Sequence, residues 1–184
     1  MYEFFYDVLK PKYGDKVKLT YTDTDSFILY IETDDVYQDL QEIGDVFDFS
    51  DYPDDHPNFD KKNKKKLGYF KDEVNGKIIT EFIGLKPKMY TIKLDDDIFK
   101  KAKGVPKHKV KNYITFDKYY DTLKNNTKEY IKFNTIRSFN HQICSITCNK
   151  LGLSSYDNKR YWTDYKESVA YGHYTIESLT SKSS

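Results

Sequence analysis

Apolar and polar positions change their period several times along the chain, and each change predicts a different element. Tyr2, Phe5, Tyr6 and Leu9 recur at helical spacing over residues 1–10, and Lys10-Pro11 with Gly14 supplies a stop. The run K-L-T-Y-T-D-T-D-S-F-I-L-Y-I, Lys18 to Ile31, has two β-prone stretches around a polar tip and predicts a hairpin presenting Asp23 and Asp25. A short helix is expected over Val36 to Ile43, ended by Gly44 and the turn-rich S-D-Y-P-D-D-H-P-N. A meander follows: a strand from Gly68 to Asp72, a turn at Asn75-Gly76, and a strand from Lys77 to Ile83. After Gly84, alternation over L-K-P-K-M-Y-T-I-K-L sets Met89, Thr91 and Lys93 on one face of a strand and Lys88, Tyr90 and Ile92 on the other, so Lys88 and Tyr90 point together. Gly104 and Pro106 interrupt a basic run and mark a domain boundary near residue 100. Phe116, Tyr119, Tyr120 and Leu123 give a helix between Ile114 and Ile131, capped by Thr115 or Asp117, and a second element spans Lys132 to Ile146.

Composition adds three constraints. At 184 residues the chain buries a core as one domain or two small ones, and its 18 Tyr and 12 Phe exclude a disordered class. The formal net charge of +1 hides segregation: Glu32 to Asp60 holds eleven carboxylates and no Lys or Arg, whereas Lys61 to Lys128 holds nineteen Lys against eight Asp or Glu. A basic block interleaved with aromatics suits phosphate-backbone binding, and a solvated Lys-rich surface is the plainer reading. Cys144 and Cys148 are the only cysteines, so no disulfide framework is expected and a reducing compartment fits. With His141 they read H-x2-C-x3-C, one face of a helix if helical, but zinc would lack a fourth ligand and packing is preferred. No apolar run reaches the length of a membrane span and no secretory signal is evident, so an intracellular protein without a membrane partner is expected.

The chemistry concentrates at the acidic tip. Side chains two apart on a strand share a side, so Asp23 and Asp25 can converge, and two such anions repel unless a cation lies between them. Hard oxygen ligands suit Mg²⁺ or Mn²⁺, commonly held by one or two carboxylates plus substrate phosphates. An EF-hand loop would need a ligand at Phe27 and Gly at Ile28, which excludes it. A sugar-nucleotide transferase, which also uses Asp-x-Asp at a strand end, and a solvated Asp-Thr-Asp turn both remain open at this point.

The longer string Tyr21-Thr22-Asp23-Thr24-Asp25-Ser26 resembles the Tyr-x-Asp-Thr-Asp-Ser motif in the palm of family B DNA polymerases. Lys88-Met89-Tyr90 resembles the Lys-x-Tyr motif that follows it, and Lys103-Gly104-Val105 the passage from palm to thumb. Downstream, Arg137 with His141, Asn149-Lys150, Lys159-Arg160 and Tyr171 to His173 resemble the thumb of the protein-primed branch found in polinton (Maverick) transposons and related viruses. Asn158 stands where the second acidic residue of an Asp-Asp-Lys-Arg turn would be.

The resemblance implies an α+β fold. Residues 1–100 would be the C-terminal half of a palm, an antiparallel sheet with flanking helices, and residues 101–184 a mostly helical thumb. It implies a DNA-directed DNA polymerase acting on primer-template DNA and dNTP by two-metal catalysis with Mg²⁺ or Mn²⁺. Asp25 and Asp23 would bind metal and be catalytic, supported by Tyr21, Thr24 and Ser26. Lys88 and Tyr90 would hold the primer strand, and Lys103, Lys107, Lys109 and Arg137 would touch duplex phosphates. A terminal-protein primer is a candidate partner, and the nucleus or a viral replication site is the location the lineage implies. The family's upstream Asp-x-x-Ser-Leu-Tyr-Pro and Lys-x-x-x-Asn-Ser-x-Tyr-Gly strings do not occur in these 184 residues, nor does a recognisable exonuclease carboxylate set. The chain is therefore expected to be a fragment inactive alone, with a non-catalytic DNA-binding remnant as the alternative.

Overall fold

The computed structural model describes residues 1–164 and 167–176, and is mixed α and β with small sheets. The chain divides into two compact units, Met1–Gly84 with Thr91–Phe99, and Leu85–Tyr90 with Lys100–Ser184. Leu85–Tyr90, which the sequence assigns to a first domain ending near residue 100, groups with the second unit.

The first unit begins with a π-helical turn, Phe4–Leu9, that runs into α1, Lys10–Tyr13. The Lys10 amide bonds back to the Phe5 carbonyl, and Pro11 sits in the first turn of α1, where a missing N–H is tolerated. The buried stripe is Phe5, Leu9 and Tyr13, continued by Val17, while Tyr2 and Tyr6 are exposed. Of the four residues at helical spacing two are therefore buried and two exposed, and the helix runs past Lys10 to Tyr13.

Strands β1, Val17–Asp23, and β2, Ser26–Ile31, pair antiparallel as the expected hairpin. Leu19, Phe27, Leu29 and Ile31 pack on the helical stripe, so the hairpin's base is fixed by apolar burial while its tip stays wet. Helix α2, Val36–Ile43, matches its expected bounds, because the Asp35 carboxylate caps the Tyr37 and Gln38 amides and Gly44 ends it.

The acidic and basic blocks partly neutralise each other. Strand β3, Phe47–Asp48, pairs in parallel with β4, Phe70–Lys71. Between them, Lys62 bonds Asp45 at 2.7 Å, Asn63 donates to the Phe47 carbonyl, and the buried Asp48 accepts the Lys65 amide at 2.9 Å. Burial pushes the Asp48 carboxyl up, but hydrogen bonds from Ser50 and Lys65 outweigh it and hold it below the usual carboxylate range. The basic run Lys61 to Lys66, K-K-N-K-K-K, is thus tethered at Lys62, Asn63 and Lys65.

The meander needs correction. Asn75 and Gly76 have φ of 56° and 79°, a turn as expected, and the Asp72 carboxylate accepts the Val74 and Gly76 amides. The flanking segments do not pair with each other: β4 pairs with β3, and the downstream strand β5, Glu81–Lys86, pairs with β6, Met89–Lys93. The side-chain cap at Asp72 satisfies the turn without a hairpin ladder. Strand β7, Ile98–Ala102, completes the sheet in the order β5-β6-β7.

In the second unit, α3, Lys107–Asn112, and α4, Phe116–Asn125, precede a long antiparallel hairpin of β8, Glu129–Phe139, and β9, Gln142–Leu153. Thr115 caps α4, and Asn126 in the left-handed region, φ 52°, ends it five residues before Ile131. Buried Tyr119 and Thr122 form its core face, and the Tyr119 hydroxyl donates to the Lys101 carbonyl at 2.8 Å. The expected mostly helical thumb is corrected here, since a stretch rich in β-branched and aromatic residues takes Lys132 to Ile146 into strands. His141 accordingly lies in the hairpin turn, with Cys144 and Cys148 on β9 and not on a helix face. Two short strands, β10, Arg160–Trp162, and β11, Ser168–Ala170, close the described chain.

Candidate metal and nucleic-acid site

The acidic tip is a two-residue connection. Asp23 pairs with Ser26, leaving Thr24 and Asp25 in the turn. The Asp25 amide donates to the Asp23 carbonyl at 2.7 Å, the Ser26 hydroxyl donates to the same carbonyl at 3.2 Å, and the Thr24 hydroxyl reaches the Asp23 carboxylate at 3.4 Å. The Asp23 backbone thus organises the tip, and Thr24 and Ser26 shape it. Thr24 has φ of 61°, a conformation costly for a β-branched residue.

A bulge between Leu19 and Tyr21 lets Thr20 donate to the Ile28 carbonyl at 2.6 Å, adding twist between the buried base and the tip. Tyr21 lies 6.4 Å, centroid to centroid, from Phe82, and Phe27 is held between Phe5 and Phe70. Asp23 is half-buried and Asp25 exposed. Strand alternation ends at Asp23, so the turn, not the pleat, directs Asp25. Two carboxylates fit what Mg²⁺ usually takes from protein when phosphates and water complete its shell. Among the described residues, no group of three His, Cys, Asp or Glu gathers to hold a metal.

Lys88 and Tyr90 belong to the second unit. Lys88 is not on a strand: Pro87-Lys88 is the turn between β5 and β6, with Lys88 at φ 61°. Proline at the second place and a positive φ at the third is the type II pattern, which displaces the alternation expected from Lys88 to Lys93 by making Met89 the first strand residue. The Lys88 carbonyl accepts the Lys103 amide at 3.0 Å, placing two of the expected DNA contacts side by side. Tyr90 is half-buried, with the Lys101 ammonium 5.9 Å from its ring centroid. Lys101, on β7, is a residue the motifs miss.

Lys107 is exposed and Lys109 half-buried on α3, two apart and so on different faces. Arg137 is exposed on β8, opposite Cys144, on a separate element from the lysines. Lys100, by contrast, is drawn inward to cap the Lys111 and Ile114 carbonyls at 3.0 and 2.7 Å. Lys118 lies 3.5 Å from the Tyr113 ring centroid and bonds Glu129 at 3.2 Å.

No protein-family model, curated protein or solved structure matches this chain. Among the described residues, no helix is long and apolar enough to cross a membrane.

Proposed function

We propose that this chain is the metal-hairpin and thumb portion of a template-directed DNA polymerase of family B, protein-primed type. The observation that carries the reading is shared by its two motif strings: each falls on a two-residue turn joining paired strands, and each turn holds a non-glycine motif residue at φ 61°, Thr24 and Lys88. Backbone strain of this kind costs about 1 kcal/mol or more and concentrates where ligands are clamped.

In this reading Asp25 and Asp23 hold Mg²⁺ or Mn²⁺. Bound there, the ion would neutralise triphosphate charge and favour attack by a primer 3′-hydroxyl. Lys88 and Lys103 contact phosphates of the primer strand, and Tyr90, flanked by Lys101, borders them. Lys107, Lys109 and Arg137 add electrostatic grip on primer-template DNA.

The upstream strings that would supply the opposing carboxylate and the nucleotide-binding lysine are not in this sequence. Incubated with Mg²⁺, dNTP and a primed template, the chain is expected to leave the primer unextended. Extension that disappears in Asp25→Asn would contradict this.

A second reading, a DNA-binding remnant without metal chemistry, is favoured by the lack of a three-ligand group among the described residues. Salt-titrated binding to primer-template DNA separates them: the remnant binds equally with and without Mg²⁺ and survives Asp25→Asn. The catalytic portion gains dNTP affinity with the metal and loses that gain in the variant. Both lose affinity in Lys88→Ala.

A further inference from the structure

The arm formed by β8 and β9 differs in composition from the rest of the chain. Tyr130 to Leu153 contains no Asp or Glu, although the whole chain holds 29, and its cations are Lys132, Arg137 and Lys150. The arm's base is anchored by Ile131, Phe133 and Leu153, all buried. Its outer part is bare: Ile136 is 73% exposed, Phe139 72% and Ile143 81%. Asn140 and His141 both take positive φ, 48° and 61°, the two-residue turn whose twist matches the strands. Pairing of Arg137 with Cys144 and Phe139 with Gln142 puts Arg137 and Phe139 on one face, while Ile136 and Ile143 lie on the other.

A two-stranded ribbon is marginal in water, and bare aliphatic and aromatic groups on both faces call for a cover. The missing carboxylates say which kind. A protein partner gives no reason for the absence of Asp and Glu over 24 residues, whereas a polyanion is repelled by carboxylates and favours it. Between Asn134 and Thr147 the only permanent cation is Arg137, too few to neutralise the two phosphate rows that flank a duplex groove. An exposed ring beside one guanidinium instead matches a single strand, whose base faces stack on aromatics.

We infer that the outer arm binds unpaired bases of a nucleic-acid strand, with Phe139 as the stacking platform and Arg137 as the adjoining cation. This rests on the nucleic-acid reading above and assigns it a second contact, distinct from the lysines around Lys88.

The full chain is titrated with labelled oligothymidylate and with a mixed-sequence duplex, for wild type, Phe139→Ala, Phe139→Trp and Lys88→Ala. Phe139→Ala is expected to weaken oligothymidylate binding about five- to a hundredfold, with its salt dependence and duplex affinity unchanged. Phe139→Trp should restore binding and add emission that the oligonucleotide quenches beyond the Trp162 background. If Phe139→Ala binds oligothymidylate like wild type while Lys88→Ala still weakens duplex binding, the arm inference fails and the proposed function stands. If wild type binds neither nucleic acid, both fail. If sedimentation shows a dimer that Phe139→Ala dissociates, the arm's cover is a second copy and the inference is overturned.

Discussion

Lys103 donates its backbone N–H to the carbonyl of Lys88 at 3.0 Å, so two lysines fifteen positions apart in sequence stand next to each other at the end of a sheet. If both meet phosphates, Lys88→Ala and Lys103→Ala should each weaken primer-template binding and each lower the slope of log affinity against log salt by about 1. Adjacent sites couple, so the double variant should lose less or more than the sum. Equal salt slopes in wild type and both variants would remove these lysines from the interface.

Lys88 also separates strain from function. Asparagine tolerates a positive φ better than lysine, so Lys88→Asn should raise stability by up to ~1 kcal/mol, about 2–4 °C in Tm, while DNA binding falls as in Lys88→Ala. Calorimetry beside a binding titration checks both halves. A lower Tm in Lys88→Asn would mean that the turn is not strained.

Gly152 tests the arm's base. A Cβ there would strike the buried Ile131 side chain, and Gly152 lies on β9 beside the irregularity between Glu129 and Tyr130. Gly152→Ala should destabilise the second unit by about 1–3 kcal/mol through overpacking, with recovery in the double variant that also carries Ile131→Val. An unchanged Tm would show that the site relaxes without cost.

Asp48 gives a pH signature. Its folded pKa is depressed by the hydrogen bonds from Ser50 and Lys65, so its contribution is present above the unfolded carboxylate value, about 3.9, and is lost as pH falls through the folded one. Asp48→Asn should therefore lower Tm near neutrality, and the gap to wild type should narrow as pH falls below about 4. A gap that is constant down to acid pH would show that the carboxylate charge does not hold the basic run.

The elements whose signals are local were legible in the sequence. The hairpin around Asp23 and Asp25 was written in two β-prone runs, and α2 was bounded by Asp35 and Gly44, whose roles depend only on neighbours. What failed required information from further away. Asn75-Gly76 makes its turn, but Asp72 satisfies the amides, and the strands it separates find other partners. Lys132 to Ile146 gave no decisive period, and the outer arm carries exposed Ile136 and Ile143 where a helix or half-buried strand would hide them. At the site, strand alternation extends neither to Asp25 nor to Lys88, because both lie in turns. The motif residues were visible by type, but their orientation was not, because turn geometry sets it.

In the proposed function the Asp23–Asp25 tip holds a divalent ion together with a nucleotide. Its most direct test is Mn²⁺ electron paramagnetic resonance on the full chain with primer-template DNA, titrated with dTTP, for wild type and Asp25→Asn. Protein-bound Mn²⁺ should rise with dTTP in wild type, and the rise should be lost in Asp25→Asn while DNA remains bound. Bound Mn²⁺ that is the same in both proteins would contradict it.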